Sequence, residues 1–233
     1  MSASLSIREF FDSQYRRHPR YWWRGTNRYS LDPADHTTFN SVALRIVATR
    51  GPGRALDVGA GEGADAIRLA KLGYEVDVME LSTVACEKIE RFARAERVRL
   101  TVRNESAFTA GLAESVYDVV VMNGLLHYIK DKDAVLRRLS SGSASGAVHV
   151  ISLFSTATPL PHEHTVTPIF PDDEGGEVER FYKTHRILTA AYERAKPEAS
   201  HPGFAEHAHS YIKMIVELSN NGSGERGCQA GPN

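Results

Sequence analysis

Residues 55–63 of the chain read ALDVGAGEG, and residues 74–80 read YEVDVME. The first stretch predicts a buried strand that runs into alternating glycines, where the main chain can approach a ligand closely because no Cβ intervenes. A helix that starts after them presents N–H groups and a positive dipole end to electron-rich ligand atoms. The second stretch predicts a strand ending in a carboxylate, Glu80, that can accept hydrogen bonds from a ribose diol. Together they predict an adenine-nucleoside site at the carboxyl edge of a parallel sheet.

Two cofactor families use a site of this design. Residues 59–64 satisfy the dinucleotide fingerprint G-x-G-x-x-A, with Glu80 near the expected distance, so a nicotinamide-dependent dehydrogenase is one alternative. Asp57 argues against it, because dehydrogenases usually keep this strand end apolar. The D-x-G-x-G-x-G pattern that begins at Asp57 instead resembles motif I of the class I S-adenosylmethionine-dependent methyltransferases.

The composition predicts an ordinary globular protein. Its 233 residues suffice for one large core, with 42% hydrophobic and 24% charged residues. The net charge of −1 favours neither nucleic acid nor an anionic membrane as a partner. No apolar run approaches the ~20 residues of a membrane span, and the charged first twenty residues exclude a secretory segment. With only two cysteines, we expect a cytoplasmic location, whereas the oligomeric state stays open.

Hydrophobic patterning predicts one alternating α/β domain over residues 1–218 and a disordered tail over 219–233. Two strands, 187–194 and 210–218, close the domain without a long helix between them. The methyltransferase resemblance implies that the last strand is antiparallel in a seven-stranded, mostly parallel Rossmann-like sheet. The earlier elements are predicted as strands at 54–58, 75–80, 98–102, 117–123 and 147–154, and as helices at 63–72, 82–95 and 131–139.

Two segments lie outside this alternation. Residues 1–50 predict an N-terminal helical cap or lid, with a capping box formed by Ser6 and Glu9 and a second helix from about Asp35 to Thr49. Residues 155–180 contain four prolines and form an insert after the fifth strand. An insert at this place normally shapes substrate choice.

The resemblance implies that the cofactor is S-adenosylmethionine and that the strand ends bind it. The glycine loop would approach its amino-acid part, and Glu80 would hold the ribose hydroxyls. Either Glu105 or Ser106 would contact the adenine amine, although an ordinary surface loop is an equal alternative there. The implied contacts are Asp57, Gly59, Ala60, Gly61, Glu80, Leu81, Glu105, Ser106, Ala107 and Asn123.

Aromatic residues near the N-terminus suit a sulfonium cofactor. Aromatic faces attract cations by ~0.5–2 kcal/mol, so Tyr15 and Trp23 are candidates to close over it. Arg24 is a candidate partner for its carboxylate. The alternative is a cap that packs on the sheet edge, and a lid would pack there too.

Two residues after the fourth strand are candidates for catalysis. Asn123 ends the strand beside the expected position of the sulfonium, where its amide can bind the cofactor's amine or orient an acceptor. His127 follows in a Leu-His pair, and its pKa near neutrality suits a general base. The alternative for His127 is a helix-start residue with local hydrogen bonds.

Histidines recur as H-x-H pairs at 162–164 and 207–209. Such a pair on a strand faces one side, yet a metal site requires a third ligand and supporting residues, so we expect no metal. The segment from His207 resembles the last strand of tellurite-resistance-type methyltransferases. On this strand His207, His209 and Tyr211 share a face, so some of them can line an acceptor pocket. Polar residues at a sheet edge are the alternative.

The leading functional prediction is methyl transfer from S-adenosylmethionine to a small molecule, in specialised metabolism. One alternative uses the same pocket for attack of the cofactor's own amine on its γ-carbon, which gives azetidine-2-carboxylate and methylthioadenosine. The chain is similar enough to methyltransferase-like azetidine-2-carboxylate synthases to keep this open. A second alternative is a non-catalytic cofactor-binding module that acts on a partner protein.

Overall fold

The computed structural model describes residues 6–21, 39–109, 111–161, 167–198 and 205–219. Within them, no helix has both the length and the apolar character needed to cross a membrane. The strands are β1 Arg54–Val58, β2 Glu75–Met79, β3 Thr101–Arg103, β4 Tyr117–Asn123, β5 Ser143–Phe154, β6 Arg186–Glu198 and β7 His207–Glu217. The helices are α1 Ile7–Arg17, α2 Phe39–Thr49, α3 Ala64–Lys71, α4 Thr83–Ala95, α5 Lys132–Gly142 and α6 Glu177–Tyr182, with a 3-10 turn at Leu126–Tyr128.

All seven strands form one sheet in the order β3-β2-β1-β4-β5-β7-β6. The strands from β3 to β5 pair in parallel, and β7 runs antiparallel to both of its neighbours. This confirms the predicted sheet with its antiparallel last strand. The strand order reverses direction between β1 and β4, and ligands of open α/β sheets bind outside the carboxyl ends of the strands at such a switch point.

The central strands are apolar on both faces because helices cover the sheet on both sides. In β4, Val120 and Met122 belong to one core with residues of α5 and α6, whereas Val119 and Val121 belong to a second core with residues of α2, α3 and α4. All four side chains are completely buried. This two-sided burial holds the carboxyl ends of β1 and β4 in place.

The predicted capping box of α1 is confirmed. The main-chain N–H of Ser6 donates to Glu9 Oε2 at 2.9 Å, and the N–H of Glu9 donates to Ser6 Oγ at 3.3 Å. Residues 35–38, the predicted start of the next helix, lie outside the described residues, as do residues 220–233 of the predicted tail.

Several predictions of local structure were wrong. β5 begins at residue 143 rather than 147. β6 extends to residue 198 rather than 194, and β7 begins at residue 207 rather than 210, because antiparallel pairing of β6 and β7 continues beyond their apolar parts.

β3 begins three residues later than predicted, because α4 ends in a turn with a left-handed Arg97 (φ 58°) and the N–H of Val98 donates back to Ala93. The insert contains α6, which the proline-rich sequence does not reveal. Asp172 starts this helix, since its carboxylate accepts the N–H groups of residues 177 and 178 at 3.0 and 2.8 Å.

Candidate functional site

A cavity of about 530 Å³ lies at the carboxyl ends of β1, β2 and β4, and residues of α1 form part of its wall. Trp23 and Arg24, two of the predicted contacts, lie outside the described residues. The predicted residues that line the cavity are Tyr15, Asp57, Gly59, Ala60, Glu80, Leu81, Glu105, Ser106, Ala107, Asn123 and His127. The structure thus brings these residues together, while their contacts with a cofactor remain predictions.

The glycine loop is tied to the end of β2 through Glu80. The N–H of Gly61 donates to Glu80 Oε2 at 2.9 Å, and the N–H of Ser82 donates to Oε1 at 2.8 Å. Burial raises the pKa of Glu80 above its ordinary value. A carboxylate has about four lone-pair positions, so Glu80 retains capacity to accept hydrogen bonds from a ligand diol.

Asp57, the acidic residue of β1, supports the start of α3. Its side chain is 2% exposed, and Oδ2 accepts the N–H of Ala66 at 2.9 Å. Burial, with a further contribution from the nearby carboxylate of Asp65, raises the pKa of Asp57 well above its ordinary value. Asp57 therefore fixes the direction in which the first turn of α3 faces the cavity.

Asp65 also lines the cavity, and the sequence reasoning missed it. The residue lies in the first turn of α3, and its Oδ2 accepts a hydrogen bond from Asn123 Nδ2 at 3.3 Å. An acid in the first turn of a helix is common for dipole reasons alone, so the sequence did not set this one apart. The pair joins the glycine loop to the end of β4.

Helix α1 and the segment that follows it cover the cavity with aromatic side chains. Tyr15 and Tyr21 are each 3% exposed, and both line the cavity. The buried carboxylate of Glu62 accepts the N–H of Tyr21 at 2.9 Å and pairs with Lys88 Nζ at 2.9 Å. Glu62, which the sequence reasoning also missed, therefore fastens the segment after α1 to the glycine loop and α4. Both predicted roles of this region, a cover and a packed cap, agree with this placement.

His127 is held by main-chain contacts. Its Nδ1 accepts the N–H of Phe154 at 3.3 Å, and its carbonyl accepts the N–H of Phe170 at 2.6 Å. Because an N–H can only donate, the neutral ring carries its proton on Nε2. The ring stacks on Phe154 with centroids 4.0 Å apart, and Phe154 stacks in turn on His209 at 4.3 Å.

The other end of the cavity is built by the hairpin of β6 and β7. We call it the β7 end, and its lining residues are Phe154, Lys196, Glu198, His209, Tyr211 and Lys213. His209 and Tyr211 face the cavity, as predicted for some residues of this strand. Burial opposes ionisation of Glu198, but hydrogen bonds from His209 and Tyr211 prevail and lower the pKa of Glu198 to about 2.

Known proteins resemble the chain in sequence over its central part. Residues 56–148 match a family described as a methyltransferase domain. The tRNA 5-carboxymethoxyuridine methyltransferase of Escherichia coli (strain K12) is 28% identical over 123 residues, which are 51% of this chain and 47% of that protein. The chain thus spans about half the length of the curated relatives it matches.

Solved structures resemble it over almost its whole length. One, from work on the conversion of a disulfide bond into a thioacetal group during echinomycin biosynthesis, has a TM-score of 0.68 and 23% identity, covering 93% of this chain and 94% of that one. The Burkholderia thailandensis 1,6-didemethyltoxoflavin-N1-methyltransferase, with bound 1,6-didemethyltoxoflavin and S-adenosylhomocysteine, has a TM-score of 0.65 and 18% identity, covering 94% of each chain. At these identities the likeness shows the fold.

The fold and the sequence match both favour the methyltransferase interpretation over the nicotinamide alternative. Motif I lies in the matched segment, and the antiparallel β7 completes the sheet that the resemblance implies. Residues 56–148 thus match a methyltransferase domain, and the sheet that contains them has the fold of the class I S-adenosylmethionine-dependent methyltransferases.

Proposed function

We propose that the chain transfers the methyl group of S-adenosylmethionine to a small molecule held at the β7 end of the cavity. One observation carries the proposal. The cavity runs past Asn123 from the glycine loop to polar side chains of β6 and β7 that the predicted cofactor contacts do not use. A cofactor bound on the glycine loop therefore leaves a second set of hydrogen-bonding groups for another molecule, as a transfer reaction requires.

Asp65 and Asn123 are suited to hold the amino-acid part of the cofactor. Asp65 is 7% exposed, and its carboxylate lies on the cavity wall beside the end of β4. An ammonium group bound there would form a charge-assisted hydrogen bond, which is stronger than a neutral one. Asn123, fixed by its contact with Asp65, would then set the direction of the sulfonium toward the β7 end. The sulfonium is already a good electrophile, so positioning and exclusion of water supply most of the catalysis.

His127 fits an orienting role better than that of a general base. The main-chain N–H of Phe154 occupies Nδ1, which leaves the proton of the neutral ring on Nε2. In this tautomer the ring offers a donor rather than a base. We therefore assign His127 to orienting the acceptor or the Phe154 ring, and the proton of a protic acceptor to groups at the β7 end.

The small-molecule class is supported by the walls of the cavity. Residues of α1 cover it with aromatic side chains, and the net charge of −1 provides no electrostatic attraction for a polyanion. Because one curated relative is a tRNA 5-carboxymethoxyuridine methyltransferase, tRNA that carries 5-carboxymethoxyuridine belongs in the test as a competing acceptor.

The experiment is a product analysis with purified protein. S-adenosylmethionine is incubated alone, with small hydroxyl, amine and thiol acceptors, and with tRNA. We expect S-adenosylhomocysteine only when a small acceptor is present. Turnover with tRNA alone would contradict the substrate class, and cofactor binding without turnover on any acceptor would support the non-catalytic module.

The cyclisation alternative is favoured by the aromatic cover, which suits a closed pocket folded around the methionine chain. It predicts methylthioadenosine from S-adenosylmethionine alone, without an acceptor.

The substitution D65N tests the role of Asp65 in cofactor binding. We expect it to weaken cofactor binding by roughly tenfold or more because it removes a charge-assisted hydrogen bond of ~1.5–3 kcal/mol. D133N is the control, since Asp133 pairs with Arg137 on the exposed face of α5.

A further inference from the structure

The antiparallel pairing of β6 and β7 supplies the ligand that the H-x-H pair lacks in sequence. Glu198 at the end of β6 lies directly opposite His207 at the start of β7, and His209 follows two residues later on the same face. Among the described residues, these three form a group whose ligand atoms all lie within 4.8 Å of one another. Glu198 therefore supplies the third ligand, whose absence from the sequence pattern argued against a metal site.

Two distances within the group are close to the edges of a small coordination polyhedron. His209 Nδ1 lies 3.0 Å from Glu198 Oε1, and His207 Nε2 lies 3.6 Å from Glu198 Oε2. Zinc bonds of about 2.0–2.1 Å in tetrahedral geometry place neighbouring ligand atoms roughly 3.3 Å apart. The third distance, between the two histidine nitrogens, is at most 4.8 Å, so one ion can bind both rings once the proton that His209 Nδ1 donates to Glu198 has moved to Nε2.

The supporting hydrogen bonds have the pattern found around metal ligands. The Nδ1–H of His207 donates to the carbonyl of Ala205 at 2.7 Å, which fixes the tautomer of the ring. The Tyr211 hydroxyl donates to Glu198 Oε1. Ligating histidines usually donate their second ring nitrogen to a carbonyl or carboxylate, and ligating carboxylates are themselves hydrogen-bonded.

The tautomer of His207 has a direct consequence for what fits between the two side chains. Because Nδ1 donates to the carbonyl of Ala205, Nε2 is the ring nitrogen that lies toward a carboxylate oxygen of Glu198, at 3.6 Å. The side chain of His207 is 8% exposed and that of Glu198 is 27% exposed, so water screens the two Lewis bases only partly. A metal ion between them would bond both atoms.

We propose that Glu198, His207 and His209 bind one divalent transition-metal ion, of which Zn²⁺ best suits a set of two imidazoles and one carboxylate. Three protein ligands leave a coordination position open, as in catalytic rather than structural zinc sites. Glu198 and His209 line the cavity, so that position faces the β7 end. A role in holding the acceptor's heteroatom rests on the proposed function, whereas the metal site itself does not.

The neighbouring lysines have a carboxylate of their own. Lys196 and Lys213 each pair with Glu193 at 2.9 Å. This pairing directs two positive charges toward Glu193 and leaves the carboxylate of Glu198 to the histidines and Tyr211.

The test is metal binding by the full chain without cofactor. Protein freed of metal with a chelator is titrated with Zn²⁺ by calorimetry, dialysed, and its bound zinc is measured by mass spectrometry. We expect one zinc per chain, and a visible absorption band of low-coordinate Co²⁺ when cobalt replaces it. E198Q, H207A and H209A should each weaken binding by more than about tenfold, since even outer hydrogen-bond partners cost 10–100-fold. Y211F should fall within that outer-partner range.

Two controls keep the test decisive. H185A removes a histidine at the opposite end of β6, and H162A/H164A removes the other H-x-H pair, so both should retain the zinc. Circular dichroism and S-adenosylmethionine affinity measured on each variant separate misfolding, and a failure of the proposed function, from a lost metal ligand. Zinc that stays bound in E198Q and H209A, or a wild-type chain that binds none, would overturn the proposal.

Discussion

The main-chain N–H of Gly61 donates to Oε2 of Glu80 across 2.9 Å, so the glycine loop after β1 is connected directly to the end of β2. The same carboxylate also holds the N–H of Ser82, next to the start of α4. Glu80 therefore has two tasks in the proposed site. It is a candidate acceptor for the ribose diol, and it maintains the shape of the loop that approaches the rest of the cofactor.

E80Q tests the role of Glu80 as an acceptor for the ribose diol. It disturbs the glycine loop less than a shorter side chain would, because glutamine has the same size. The amide retains one acceptor oxygen but lacks the charge that strengthens hydrogen bonds to the diol. We expect the Kd for S-adenosylmethionine to rise by roughly 10–100-fold, equivalent to ~1.5–3 kcal/mol. Calorimetry measures it, with E75Q as control because Glu75 lies exposed at the other end of β2. Equal affinity of E80Q and wild type would reject the ribose role.

Gly59 is required for two separable reasons. Its φ is +68°, and a Cβ at this position would lie 2.7 Å from Leu125 Cδ1. G59A should therefore lose more unfolding free energy than the ~1–2 kcal/mol of a left-handed conformation alone. G124A is a matched control, since Gly124 has a φ of +70° with nothing within 4 Å of its Cβ position. Urea denaturation should show a larger loss for G59A, and L125A in that background should restore part of it. Equal losses for the two glycines would contradict the close approach.

Lys88 should contribute strongly to the stability of the fold because the Glu62 carboxylate with which it pairs is buried. The side chains are 8% and 1% exposed, and their nitrogen and oxygen lie 2.9 Å apart. K88M removes the ammonium group from the buried Glu62 carboxylate, which keeps the hydrogen bond from the Tyr21 N–H, and it should lower the free energy of unfolding by about 3–5 kcal/mol. E62Q added to K88M should recover much of that loss. K71M is the control, since Lys71 and Glu96 form an exposed pair worth no more than about 1 kcal/mol. Similar losses in K88M and K71M would show that the buried pair has no special weight.

The parts of the fold that were predictable are those where one local pattern decides. The bounds of β1 and β4 coincide with the prediction because the glycine loop directly follows Val58 at the end of β1, and the apolar run of β4 ends at Asn123. Glu198 was not predictable as a neighbour of His207, since the strand was predicted to end at residue 194 and the pairing of β6 with β7 shifts register before it reaches them. The sequence predicts only a loop residue at Glu62, because its pairing with Lys88 depends on the tertiary fold.

His149 should make the stability of the fold depend on pH. The residue lies in the middle of β5 with no exposed surface, and its Nδ1 and Nε2 bond the Tyr182 hydroxyl at 2.6 Å and the Ser143 hydroxyl at 2.8 Å. Burial, together with nearby His185, lowers the pKa of His149 from 6.5 to about 3. Between these two values the unfolded chain binds a proton that the folded chain does not. The stabilisation is therefore complete above the unfolded pKa and is lost as the pH falls toward the folded one.

We expect His149 alone to remove up to about 1.4 kcal/mol of unfolding free energy for each pH unit in that window. H149Q removes the titration, so its urea midpoint should fall less steeply than that of wild type from about pH 7.5 to about pH 5, although it is less stable at the upper end. The difference between the two proteins cancels the contributions of the other histidines. H185Q, which removes the nearby titratable ring, should keep most of the wild-type slope. Parallel midpoint curves for wild type and H149Q would show that His149 gains its proton in the folded chain as readily as in the unfolded one.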